Sequence, residues 1–176
     1  MSEHQTNSMA AVLSHVVLAI YWLAIIIGVV GIIVLGLGFW GSSSGGEVQI
    51  GWIRALADGM TPSQFIALAI VLIVLSAVVS FVCYQLNKVL NTLAAGDPFV
   101  PENAKRLFRI AGALAVAEIA RNLFFSLFLY LKLIKEAEFP GYSVNIALLG
   151  AVIVLLILAQ VFKEGTRLRE EQKMTI

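Results

Sequence analysis

Residues 16–40 read "VVLAIYWLAIIIGVVGIIVLGLGFW", with no charge at any position. At about 1.5 Å of rise per residue, a helix of this length exceeds the ~30 Å hydrocarbon core of a bilayer. Lipid cannot satisfy exposed backbone N–H and C=O groups, so such a run has to be helical. Trp22 and Trp40 fall roughly 27 Å apart along that helix, the separation of two interfacial aromatic belts. The preceding "MSEHQTNSMAAVLSH" carries no Lys or Arg, and the apolar run is longer than the about 7–15 residues of a secretory signal core. It reads as a retained membrane span.

Three more runs of the same kind follow. The spans predicted from the sequence are about 16–40, 64–87, 107–131 and 142–162. The second opens on "TPSQ", where Thr61 suits the N-cap and Pro62 the first helical position. The fourth follows the helix-breaking "FPG" at 139–141. No strand-like alternation competes. Composition agrees: 60% of the 176 residues are hydrophobic and 13% charged, against about half and a quarter in a soluble domain. The formal net charge of +1 gives no basic footprint, so direct nucleic-acid binding is not expected. The single Cys83 forms no intrachain disulfide and builds no zinc site; it reads as a small buried hydrophobe.

Sidedness follows from Lys and Arg in the connecting segments. The middle loop, 88–106 and the turn beyond it, carries Lys88, Lys105, Arg106 and Arg109, and the tail 163–176 carries Lys163, Arg167, Arg169 and Lys173. The other side has only Arg54, Lys132 and Lys135. Eight against three predicts both termini in the cytoplasm. The expected fold is all-α: an integral membrane four-helix bundle in one membrane domain, N-in and C-in, with a helical cytoplasmic tail. In the outer loop 41–61, "VQIGWIRALADGM" has apolar residues at helical spacing, which predicts a short interfacial helix on the outer leaflet. An ordinary amphipathic linker is the competing reading.

Glu118 and Arg121 interrupt the third span three residues apart, hence on one helix face. A lone charge there costs several kcal/mol, so the two are expected to neutralise each other and face the bundle, with Ser76 as a polar neighbour. A structural pair and an ion or proton relay both stay open. The run "AGALAVAEIA" (111–120) puts small residues at 111, 113, 115 and 117, and span four adds Ala147 and Ala151; these spacings allow close helix approach within the bundle or in a homo-oligomer. Nothing points to catalysis: His4 and His15 stand without partners, and the nucleophile, zinc and phosphate-loop motifs are missing. No enzyme activity, cofactor or metal is expected.

The patterned stretches outside the spans are "GDPFVPENAKRLFRIA" (96–111) and "VFKEGTRLREEQKMTI" (161–176). In the first, "GDP" turns the chain, Pro101 opens a helix with Glu102 in its first turn, and Lys105, Arg106 and Arg109 suit anionic headgroups. In the second, Phe162, Gly165 and Leu168 form a stripe at i, i+3 that faces the bundle, and Arg167 is spaced to pair with Glu164 and Glu170. The closing Met174-Thr175-Ile176 reads as an extended end docked on the "GDPFVPEN" loop.

These two segments resemble the signatures of domain of unknown function 2975, a family of small four-span bacterial membrane proteins. Matching positions are Gly96, Asp97, Pro98, Phe99, Pro101, Asn103, Leu107 and Ile110 in the loop, and Phe162, Gly165, Arg167, Leu168, Glu170, Thr175 and Ile176 in the tail. The likeness runs from about span one to the last residue. Val100 stands where the family often has Ser or Thr, which removes a potential N-cap. The resemblance implies no established activity. Family members are often encoded beside a small helix-turn-helix regulator, which implies a protein of the bacterial inner membrane that binds a cytosolic regulator through loop and tail. The alternatives are a small transporter or channel using Glu118 and Arg121, or an accessory subunit of a larger membrane complex.

Overall fold

A computed structural model describes residues 2–44, 60–131 and 143–174. All of the regular structure among them is helical: α1 (Ser2–Ser44), α2 (Pro62–Ala94), α3 (Pro101–Tyr130) and α4 (Ile146–Met174). Each contains a stretch long and apolar enough to cross a membrane, so this is a multi-pass membrane protein. Large apolar side chains stand exposed on every helix, including Val29 and Ile33, Ile70 and Ile73, Val116 and Ile119, and Ile153 and Ile157. In water such surfaces would drive association; against acyl chains they are at home. The outer interfacial helix predicted within 41–61 lies outside the described residues.

Helix ends follow local chemistry. α1 reaches back to Ser2 because residues 2–15 contain neither Pro nor Gly. The N-terminal arm ahead of the first span is therefore helical and continuous with it. At the start of α2 the Gln64 side chain accepts the Thr61 N–H at 2.8 Å, one half of a capping box. Its amide also donates to the Leu131 carbonyl at 2.7 Å and so ties the end of α3 to this turn. α3 opens on Pro101 with Glu102 in the first turn, as the sequence predicts. α2 and α3 extend through most of the expected loop 88–106, so the connection between them is only residues 95–100.

The chain divides into two compact units. One comprises Met1–Leu23, Val78–Glu118 and Val144–Ile176; the other comprises Ala24–Ala77 and Ile119–Ser143. In the first, Val17 of α1 packs with Cys83 and Leu90 of α2, and Tyr21, Val79 and Leu86 close around them. Leu107, Ile110 and Ala111 of α3 and Ala159 of α4 are also buried in it. In the second, α1 approaches α2 on glycines: a Cβ on Gly28 would stand 2.6 Å from Ser76 Oγ, and one on Gly38 would meet the Phe65 ring at 2.6 Å. Ser76 is thus the neighbour of Gly28. These glycines form no GxxxG, yet they carry the approach. Of the small residues that the sequence pattern names, Ala111 is packed at 1% exposed, whereas Ala115, Ala147 and Ala151 are exposed; Ala159, also 1% exposed, is not part of that pattern.

Candidate functional site

The site is built from the 95–100 connection. α2 ends in a Schellman motif: Asp97 N–H donates to Thr92 O and Gly96 N–H to Leu93 O, both at 3.0 Å. Gly96 has φ +75°, a left-handed conformation that a side chain disfavours. Pro98 follows and blocks any helical continuation. Two residues later Val100 accepts the Asn103 N–H at 3.0 Å and α3 begins. Without a Ser or Thr at 100, the backbone carbonyl makes the first turn on its own.

Asn103 holds this turn together. Its side chain is fully buried. The amide nitrogen donates to Thr92 Oγ1 at 2.6 Å and Pro98 O at 2.9 Å, and the amide oxygen accepts from Arg106 Nη1 at 2.8 Å. Arg106 also reaches the Lys88 carbonyl at 3.3 Å. One amide therefore joins the last turn of α2, the connection and the first turns of α3. Each buried polar atom is satisfied, which makes the network stiff and intolerant of losing a member.

The C-terminal half of α4 lies against this turn. Phe99 stacks on Phe162 with centroids 5.7 Å apart and an interplanar angle of 44°. Its ring occupies the space a Cβ on Gly165 would need, 2.5 Å away, so only glycine permits this approach. The Thr166 hydroxyl sits 2.9 Å from Phe162 O and 3.2 Å from Phe99 O. One turn further, Arg169 forms an ion pair with Asp97. The face of α4 that meets the loop is Phe162, Gly165, Thr166 and Arg169. The predicted stripe ended on Leu168 instead, which is 50% exposed. Steps of three residues drift about 60° per step round a helix of 3.6 residues per turn, and by Leu168 the drift has left the contact face. Arg167 points away from the loop, bonding Glu164 at 2.7 Å and Glu171 at 3.4 Å rather than Glu170. Glu170 and Arg167 line a groove of about 730 Å³ between α3 and α4, floored by Ala104, Phe108 and Ala159. Met174, expected in the extended docked end, is instead the last residue of α4 and 82% exposed, because the helix runs on to it; Thr175 and Ile176 lie outside the described residues.

Glu118 and Arg121 belong to the start of α4. Asn145 is the N-cap of that helix, its side-chain oxygen 3.2 Å from the Leu148 N–H. In a capping box the residue at the third helical position would turn back to the cap's own N–H, but that residue is Leu148. Glu118 takes its place from α3, accepting the Asn145 N–H at 2.8 Å. The carboxylate also faces the positive end of the α4 dipole. Arg121 donates to Ser143 O at 2.5 Å and lies over the Phe125 ring at 5.8 Å, and the Asn122 side chain accepts the Ser143 N–H at 3.3 Å. The N-cap of α4 thus stands beside Glu118 of α3, well before the end of that helix at Tyr130.

A model of one protein family, described as Protein of unknown function (DUF2975), matches residues 42–176. The match begins after most of α1, later in the chain than the resemblance read from the sequence. No curated protein and no solved structure matches this chain.

Proposed function

The chain belongs to the DUF2975 family, and on that premise we propose that it is a non-enzymatic docking protein of the bacterial cytoplasmic membrane, with both termini in the cytoplasm. The loop 95–101 and the C-terminal half of α4 form its partner-binding face. The observation that carries this reading is the Phe99–Gly165 contact with its Asp97–Arg169 ion pair, which builds two patterned segments, far apart in sequence, into one surface. A merely solvated tail has no need of a glycine cut to receive an aromatic ring. The groove beside it, with Lys163, Arg167 and Glu170 above an apolar floor, has the size and mixed character that suit an amphipathic helix. The partner class is the one the family resemblance implies, a small helix-turn-helix regulator.

Affinity capture from the native host, with the intact protein and with a variant truncated after Phe162, tests this. A helix-turn-helix protein retained by the first and lost from the second is the expected result. Identical partner lists would remove the docking reading. The transporter alternative draws on Glu118 and Arg121, but the bonds of these residues to the start of α4 favour a role in placing that helix.

A further inference from the structure

A second recess, about 410 Å³ in volume, opens between α2 and α3. Its walls carry four cations, Lys88, Lys105, Arg106 and Arg109, against one carboxylate, Glu102. These residues stand where the apolar part of α2 ends and that of α3 begins, which is headgroup depth for a spanning helix. Two of the cations are held in place from behind. Lys88 Nζ sits 4.3 Å from the centroid of the Tyr84 ring, and Arg106 is fixed through Nη1 to Asn103 and to the Lys88 carbonyl. A guanidinium has five N–H donors, and among the described residues Nε and Nη2 of Arg106 take no partner.

Gln85 supplies the independent observation. It lines the same recess and is 6% exposed, yet among the described residues its amide makes no hydrogen bond. Among the described residues no buried side-chain polar atom is left without a partner, so the Gln85 amide opens into the recess, where a ligand oxygen can meet it. Something polar that enters the recess would meet this amide. The cations specify that this something is an anion, and the depth specifies a lipid.

We infer that this recess binds the phosphate of an anionic phospholipid. Arg106 and Lys88 form the fixed base of the site, Gln85 donates an N–H from its floor, and Lys105 and Arg109 close over the headgroup from α3. The site shares Lys105 with the groove between α3 and α4, but its other cations lie outside that groove and it needs no partner protein.

Native mass spectrometry of the full-length protein in mild detergent, titrated with phosphatidylglycerol, phosphatidylcholine and free glycerol 3-phosphate, tests the inference. Phosphatidylglycerol is expected to bind roughly tenfold or more tightly than either of the others. The double variant Lys105→Gln/Arg109→Gln should lose at least about tenfold in affinity for it, and Gln85→Leu a similar amount, since hydrogen bonds to charged groups are the strong ones. Lys163→Gln/Arg167→Gln removes the same charge from α4, outside the recess, and should change affinity less than about twofold. If Gln85→Leu does not fold, the two charge variants, whose side chains are surface groups, carry the comparison. Equal affinity for the two lipids, an equal loss in both double variants, or glycerol phosphate binding as tightly as the lipid would each overturn the inference.

Discussion

The protein brings helices close in two ways, and both use glycine. In the unit formed by Ala24–Ala77 and Ile119–Ser143, Gly28, Gly31 and Gly38 of α1 admit Ser76, Leu72 and Phe65 of α2. At the 95–101 turn, Gly165 of α4 admits Phe99, and a network centred on Asn103 fixes where Phe99 stands. Inside lipid, apolar surface gains nothing by leaving its solvent, so closeness and dispersion have to stabilise the contact. At the water boundary, a contact has competitors for every polar atom, and specific hydrogen bonds set the geometry. The first kind of contact tolerates sliding, while the second defines one arrangement, as a recognition surface requires.

The largest loss should come from the polar centre. Asn103→Leu leaves Thr92, the Pro98 carbonyl and Arg106 without their shared partner, at a cost of about 3 kcal/mol. The expected outcome is a clear drop in thermal midpoint in detergent together with rapid proteolysis at residues 95–101. A melting curve like that of the wild type would mean that the turn does not depend on the network. The lipid-embedded contact should give up less, and unevenly. A Cβ on Gly28 would meet Ser76 Cβ at 2.9 Å, an atom that cannot rotate away, so Gly28→Ala is expected to cost about 2 kcal/mol. At Gly31 the obstacle is Leu72 Cδ2, the end of a flexible side chain, so Gly31→Ala should be close to neutral. Equal midpoints for these two variants would break the steric account.

Four membrane helices were legible from the sequence because the solvent imposes length and apolarity on each of them. Thr61, Pro62 and Pro101 marked helix starts, and Gly96 marked a helix stop, because those positions answer to local backbone chemistry. The partners across helices were less legible. Periodicity names a face but does not say which neighbour fills it. Leu168 was therefore assigned to a contact that Thr166 and Arg169 make, and Ala115 was grouped with Ala111 although of the two only Ala111 is buried, while Ala159, equally buried, went unnamed. The link from Glu118 to Asn145 had no sequence signal short of noticing that "SVNIAL" has a cap but no acid at its third helical position. An intramembrane acid invites a functional reading, and its bonding partner was the missing half of a capping box on another helix.

That substitution in space is open to a finer test. Glu118→Gln keeps an oxygen acceptor for the Asn145 N–H and loses the charge, so it should cost roughly 0.5 kcal/mol, the part owed to the helix dipole. Glu118→Leu loses both and should cost about 1 kcal/mol more, in the range of a lost cap. Amide exchange at Asn145 reads the difference directly. Fast exchange in Glu118→Leu with near-normal protection in Glu118→Gln is expected. Identical exchange in both would show that the charge, and not the hydrogen bond, places α4.

The smallest effect on stability belongs to the Asp97–Arg169 ion pair, and it is the sharpest probe of the loop and α4 as one surface. Both side chains are partly exposed, so the pair is worth only about 0.5 kcal/mol and weakens with salt. Reversing one charge, as in Arg169→Asp, puts two carboxylates together and repels by a similar amount, which scarcely moves a melting curve. It should nevertheless raise the fraction of time α4 spends off the loop, because Phe99 and Thr166 alone then hold the contact. Amide exchange along the C-terminal half of α4 measures that fraction. Charge reversal at both sites, Asp97→Arg with Arg169→Asp, should restore partner capture that either single change reduces. If the double reversal captures no better than the singles, the ion pair does not register the surface, and the specificity of the 95–101 end rests on Asn103 and Gly165 alone.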